Sequence, residues 1–152
     1  MKKAFTMIEL IFVIVILGIL AAVALPNFIG VASQAHEANL KDFTGTLNRT
    51  IGASLWSQSM TDGKAGSIKD YNDTYGGTNF SQLADIPKEI DATTIDFTKC
   101  SNPEDTSKHF AEANTTITGK EYYITCRDGN ATTPPAFKLF NNTGACIAGP
   151  GC

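Results

Sequence analysis

The chain has 152 residues, 12 basic and 15 acidic side chains and a formal net charge of −3, which suits one small domain. The mildly acidic balance argues against a nucleic-acid binder that relies on phosphate neutralisation, and the length excludes most enzymes with a separate cofactor domain. Mean hydropathy is near zero, yet the apolar residues are concentrated at one end.

Residues 1–4, Met-Lys-Lys-Ala, form a basic stub. Residues 5–25 follow as an apolar run with one charge, Glu9, and one hydroxyl, Thr6. As a helix this run rises about 31 Å, roughly the hydrocarbon thickness of a bilayer. Lys2 and Lys3 hold the N-terminus on the cytoplasmic side, so the rest of the chain is expected to be exported. Three readings compete. One is a secretory signal peptide, with Ala22-Val23-Ala24 as the small-residue cleavage pattern. Another is a plain membrane anchor. The third gives Glu9 a purpose. A charge at this depth costs about 2.5–3.5 kcal/mol, and no Lys, Arg or His lies between Lys3 and His36. A cut between Ala4 and Phe5 supplies a partner. It leaves an α-ammonium group on Phe5, about one helical turn from Glu9, free to pair within one subunit or with a neighbour.

Lys-Lys-Ala-Phe-Thr-Met-Ile-Glu-Leu, followed by a long apolar helix ending in Ala-Leu-Pro26, resembles the leader of type IV pilins and pseudopilins. The resemblance covers about residues 1–60 and is most specific in the first 26. It implies cleavage before Phe5 by a prepilin peptidase, N-methylation of Phe5 and a role for Glu9 in docking subunits. Gly18 and Pro26 match the positions bounding the stretch that loosens in assembled pili. The family usually has Gly before the cut, where this chain has Ala4.

After Pro26, Leu40, Phe43, Leu47, Ile51 and Leu55 fall on one helical face, so an amphipathic helix is predicted over 26–60. Pro26 removes a donor and can kink it without ending it. A helix from 5 to 60 would be about 84 Å long. Half of that cannot be buried in so small a domain and needs a membrane or other copies of the chain. Thr61-Asp62-Gly63-Lys64-Ala65-Gly66 supplies a stop. Residues 61–90 read as loop with a short helix near 81–84. Strands are expected at 93–99, 115–118, 121–126 and 136–140, with turns at Thr118-Gly119-Lys120 and Asp128-Gly129-Asn130. The expected fold is α+β, a long N-terminal helix packed on a small antiparallel sheet. Its parts are a leader (1–4), an apolar helix (5–25), an amphipathic helix (26–60) and a disulfide-bonded head (61–152).

Cys100, Cys126, Cys146 and Cys152 all lie in the exported part and read as two disulfides. Of three possible connectivities, Cys100–Cys126 with Cys146–Cys152 is preferred. No C-x-x-C spacing points to zinc. His36, expected on the helix, and His109, expected in a loop, lie in no ligand or catalytic pattern, and no carboxylate pair can be assigned acid and base roles. Asp62-Gly63-Lys64 and the stretch 70–73 read as turns rather than calcium ligands, and Trp56 as a packing residue. No enzyme activity, cofactor or metal is expected.

Ten Asn and 26 Ser or Thr residues give about two N-x-[ST] sites by chance. There are six, at Asn48, Asn72, Asn79, Asn114, Asn130 and Asn141. Asn72, Asn114 and Asn130 also have an acid two positions earlier, a pattern resembling the acceptor of bacterial N-linked glycosylation. The competing explanation is a surface of Asn/Thr turns.

The resemblance implies a structural subunit of a type IV pilus or pilus-like filament, held in the inner membrane with its head in the periplasm before assembly. Its implied partners are copies of itself and other pilins, the prepilin peptidase and the inner-membrane assembly machinery, with no direct nucleic-acid binding. A type II secretion pseudopilin is the alternative within the class, disfavoured because an Asp-Pro-Trp-Gly-Asn type of sequence is lacking. A secreted disulfide-bonded binding module, cleaved after Ala24, is the alternative outside it.

Overall fold

A computed structural model describes residues 6–114 and 116–152, the side chains of 26–29 excepted. The chain divides into two compact units, Met1–Ala35 and His36–Cys152. Helix α1 runs over Met7–Thr46. Its start is chemical. Thr6 precedes the first helical residue, and its hydroxyl accepts from the Glu9 N–H at 3.4 Å. Thr6-Met7-Ile8-Glu9 thus has the S/T-x-x-E form of a capping box, with an acid in the first turn.

In the second unit the predicted face is the buried one. Leu40, Phe43, Leu47, Ile51 and Leu55 are all 5% exposed or less. The helix reaches Leu55 by an unpredicted route. Leu47–Ile51 is a π-helical stretch, and α2 continues over Gly52–Thr61. Successive four-residue steps overshoot a turn of an ideal helix by about 40° each. A wider π turn absorbs that drift and keeps Ile51 and Leu55 over the core. The helix ends in a Schellman motif. Lys64 N–H donates to the Ser59 carbonyl at 2.8 Å and Gly63 N–H to that of Met60 at 3.4 Å, with Gly63 at φ +72°.

The segment 61–90 carries α3 (Asn72–Tyr75) and a 3-10 helix at Gly77–Gln82, slightly ahead of the expected 81–84. The predicted strand 93–99 does not form. It is two 3-10 turns, Ala92–Thr94 and Phe97–Lys99, opened by Asp91 and Asp96, whose carboxylates accept from the N–H groups of Thr93 and Thr98. These local bonds compete successfully with a strand ladder.

The sheet is a four-stranded antiparallel meander in the order β1 (His109–Glu112), β2 (Tyr122–Arg127), β3 (Ala136–Asn141), β4 (Cys146–Ala148). His109 opens β1 rather than lying in a loop. A bulge between His109 and Ala111 puts Phe110 and Ala111 both inside, which breaks the alternation that marks a strand in sequence. The expected strand 115–118 is reduced to a bridge between Ile117 and Lys120, and Thr115 lies outside the described residues. Thr118 and Gly119, both at positive φ, make the two-residue turn between them. Asp128-Gly129-Asn130 opens a longer link to β3 instead of a tight hairpin. The core centres on Phe43, Phe80, Phe97, Phe110 and Phe137, whose neighbouring rings lie 5.0–6.4 Å apart. Cys100 is bonded to Cys126, tying the 3-10 segment to β2, and Cys146 to Cys152, closing the C-terminus onto β4.

Candidate functional site

Within α1, Met7–Leu25 is long and apolar enough to cross a membrane. None of that stretch is buried among the described residues. Its large side chains are from 40% (Ile16) to 83% (Met7) exposed. Burying these fourteen side chains in lipid or against other helices is strongly favourable, whereas leaving them in water is not a stable arrangement. Glu9 is exposed in this stretch, and the first unit contains no cationic side chain among its described residues. Gly18 also lacks an internal reason. A Cβ there meets nothing within 4 Å, although Gly in a helix interior costs about 1 kcal/mol relative to Ala. Ala4 and Phe5 lie outside the described residues, as does the side chain of Pro26, so the expected pairing of Glu9 with a processed terminus falls there too.

The second unit fastens its own part of α1 to the sheet and to the loop before β1. Asn48 acts as a strand edge. Its carboxamide accepts from Phe137 N–H at 2.9 Å and donates to Phe137 O and Thr44 O, both at 2.8 Å. Glu37 receives the Tyr122 hydroxyl at 2.8 Å and pairs with Lys41 at 2.7 Å. Lys41 first, then Tyr122, holds its carboxyl below the ordinary range. Burial, reinforced by Glu37, pushes the Tyr122 phenol up to about 12. Glu89, 2% exposed, takes His36 Nδ1 at 2.6 Å and Asn39 Nδ2 at 3.2 Å on one oxygen. Its other oxygen is buried without a partner among the described residues. Burial raises the Glu89 carboxyl, but the bonds from His36, its own backbone and Asn39 outweigh it, and the net direction is downward. Trp56 donates to the Asn130 carbonyl at 2.8 Å, and Gly66 lets that segment close, since a Cβ on it would sit 2.3 Å from the same oxygen.

Among the described residues no group of three or more His, Cys, Asp or Glu is placed to hold a metal ion. Asp62 accepts the Tyr71 hydroxyl at 2.6 Å and Asp70 faces Lys64 at 3.9 Å. Sequence reasoning missed Thr6, although T-x-x-E before an apolar run is its signal, and it missed Asn48 and Glu89, whose partners lie 89 and 53 residues away in the chain.

Residues 1–25 match the family described as the prokaryotic N-terminal methylation motif, and the chain carries that motif. It is 55% identical over 38 residues to the type IV narrow pilus major component PilA5 of Thermus thermophilus, covering 25% of this chain and 33% of that protein. It is 30% identical over 86 residues to the type IV major fimbrial protein FimA of Dichelobacter nodosus, covering 49% of this chain and 54% of that protein. The chain thus spans a third and about half of the lengths of these two curated relatives. No solved structure matches it significantly.

Proposed function

We propose that this chain is a structural subunit of a type IV pilus. It is made as a precursor, cut between Ala4 and Phe5, methylated at the new amine and held in the inner membrane by its apolar helix before entering a filament. The observation that carries the reading is the fully uncovered helix Met7–Leu25 with one carboxylate, Glu9, and no cation of its own. A simple anchor gains nothing from that carboxylate. In a stack of helices it selects the register in which it meets the Phe5 amine of a neighbour. A glycine with open space around it, Gly18, suits close helix contact or local loosening in that stack. The similarity to two named pilus and fimbrial components favours a pilus over a secretion pseudopilus. The mechanism is assembly rather than turnover, and the partners are other pilins, the prepilin peptidase and the inner-membrane machinery.

The first test is the N-terminal residue and intact mass of the protein from native membranes or sheared surface material. N-methylated Phe5 is expected; a terminus at Leu25 would instead mean a secreted domain. The second is Glu9→Leu. Cleavage is expected to proceed while surface filaments fall at least tenfold by electron microscopy, and normal filament numbers would remove the assigned role of Glu9.

A further inference from the structure

The six N-x-[ST] sites meet different fates in the fold. Asn130 is a turn cap, accepting on one oxygen from the N–H and hydroxyl of Thr132 and from Thr133 N–H. Asn141 does the same for Thr143 and also caps Ala145 N–H. Asp91, Asp96 and Asp105 repeat the device, each taking both the N–H and the hydroxyl of the residue two positions on. The Asx-x-Ser/Thr pattern is therefore a turn motif of this head, which accounts for two of the six sites. Asn48 is committed to Phe137 of β3. Asn72 opens the helix α3, and its side-chain Oδ1 accepts from Phe97 N–H at 2.9 Å. Asn79 has Gly77 where the acid would stand. For Asn130 the acid is also out of reach. Asp128 is 6% exposed, and its two oxygens accept from Ile68 N–H, Gly129 N–H and the Ser67 hydroxyl.

Asn114 is different. Glu112, Asn114 and Thr116 are all exposed and line one open cleft of about 290 Å³ beside edge strand β1. The acid, the amide and the hydroxyl are thus presented together. Among the described residues the Glu112 carboxylate is bonded to His109 alone, at 2.9 Å, with 55% of its side chain exposed. An exposed pair of this kind is worth little and yields readily to a competing cation. The Asn114 amide donates to the Lys88 carbonyl at 2.5 Å. An N-linked amide keeps one N–H, so the substituted nitrogen remains a donor. The stacked rings of His109 and Tyr123, 4.0 Å apart, border the same cleft and offer a flat face to a sugar ring.

From this we infer that Asn114 is an acceptor for an N-linked oligosaccharide, with Glu112 and Thr116 as the residues a transferase reads. In the step, Asn114 Nδ2 attacks the anomeric carbon of a polyprenyl-pyrophosphate-linked oligosaccharide. The C–N bond forms as the C–O bond to pyrophosphate breaks, polyprenyl pyrophosphate leaves, and one amide proton passes to the transferase's base. No redox change occurs. The site needs a folded head and not a filament, so it stands or falls separately from the pilus assignment.

The test uses the full, disulfide-bonded chain in detergent micelles, with a purified bacterial oligosaccharyltransferase, its polyprenyl-linked oligosaccharide and an acceptor peptide as positive control. Trypsin separates the three acid-preceded sites into peptides 70–88, 109–120 and 128–138. The glycan mass is expected on 109–120 alone. It should be lost in Asn114→Gln and Thr116→Val, and its rate of appearance should fall at least tenfold in Glu112→Gln while both disulfides and the circular dichroism are retained. An unshifted 109–120 beside a fully modified control overturns the proposal, as does modification of 70–88 or 128–138 in its place. An undiminished rate in Glu112→Gln removes the acid from the recognised set.

Discussion

Glu89 ties the loop before β1 to α1 through His36 and Asn39. Its carboxylate is buried, and His36 and Asn39 on α1, with its own backbone, supply hydrogen bonds that favour the charged form. The folded carboxyl lies below the ordinary glutamate value of 4.5. Its contribution to stability is therefore complete above about pH 4.5 and lost as pH falls through the lower folded value. Thermal melts of the full chain in detergent between pH 3 and 7 should show this. Glu89→Gln is expected to lower the melting temperature at pH 7 by ~4 °C, corresponding to about 1 kcal/mol, with the gap closing as pH drops to 3. A constant gap across that range would mean that the carboxylate charge contributes nothing. None of this was legible in the sequence, where Glu89 sits in a polar stretch and its partners are fifty or more residues away.

At the scale of elements, the joint between α1 and β3 rests on Asn48. One carboxamide satisfies both backbone polar groups of Phe137 and one carbonyl of its own helix. Asn48→Leu removes these partners without opening a large cavity. It leaves a strand N–H and C=O uncompensated, so a loss of about 2–3 kcal/mol is expected, measured as a lower urea midpoint with unchanged slope. The helix itself was readable in advance, because five apolar residues share a face and the Asp62-Gly63 stop follows them. Its π stretch was readable in retrospect from the 4, 4, 4 spacing of Phe43, Leu47, Ile51 and Leu55. The strands were legible where β-branched and aromatic residues alternate, as in Tyr122–Arg127. They were misread where side-chain bonds decide. Residues 93–99 contain the β-formers Thr93, Thr94, Ile95 and Phe97, yet Asp91 and Asp96 turn that stretch into 3-10 helix. β1, with a bulge and both Phe110 and Ala111 inside, carries no periodic signal at all.

The whole molecule sorts its apolar surface into two kinds. The residues His36–Cys152 hold a closed core around five phenylalanines, with both disulfides inside the unit. The large apolar side chains of Met7–Leu25 are exposed among the described residues. A fragment of residues 36–152 is therefore expected to be soluble, monomeric and fully disulfide-bonded, with a melting temperature within about 4 °C of the full chain in detergent. The full chain without detergent should associate. A fragment that aggregates or melts far lower would mean that residues 1–35 contribute to the core.

The apolar run, the single charge it carries at Glu9 and the amphipathic face are one-dimensional facts. Length, hydropathy and spacing act through neighbours within a turn or two, so the sequence by itself determined the membrane-length helix and the buried face of the helix that continues from it. The choice among the N-x-[ST] sites was not of that kind. Six similar tripeptides differ only in what the folded chain brings to them: a strand backbone at Asn48, a buried acid beside Asn130, an open cleft at Asn114. Tertiary structure alone decided this, because hydrogen-bond satisfaction and burial depend on residues distant in the chain, which no local pattern encodes.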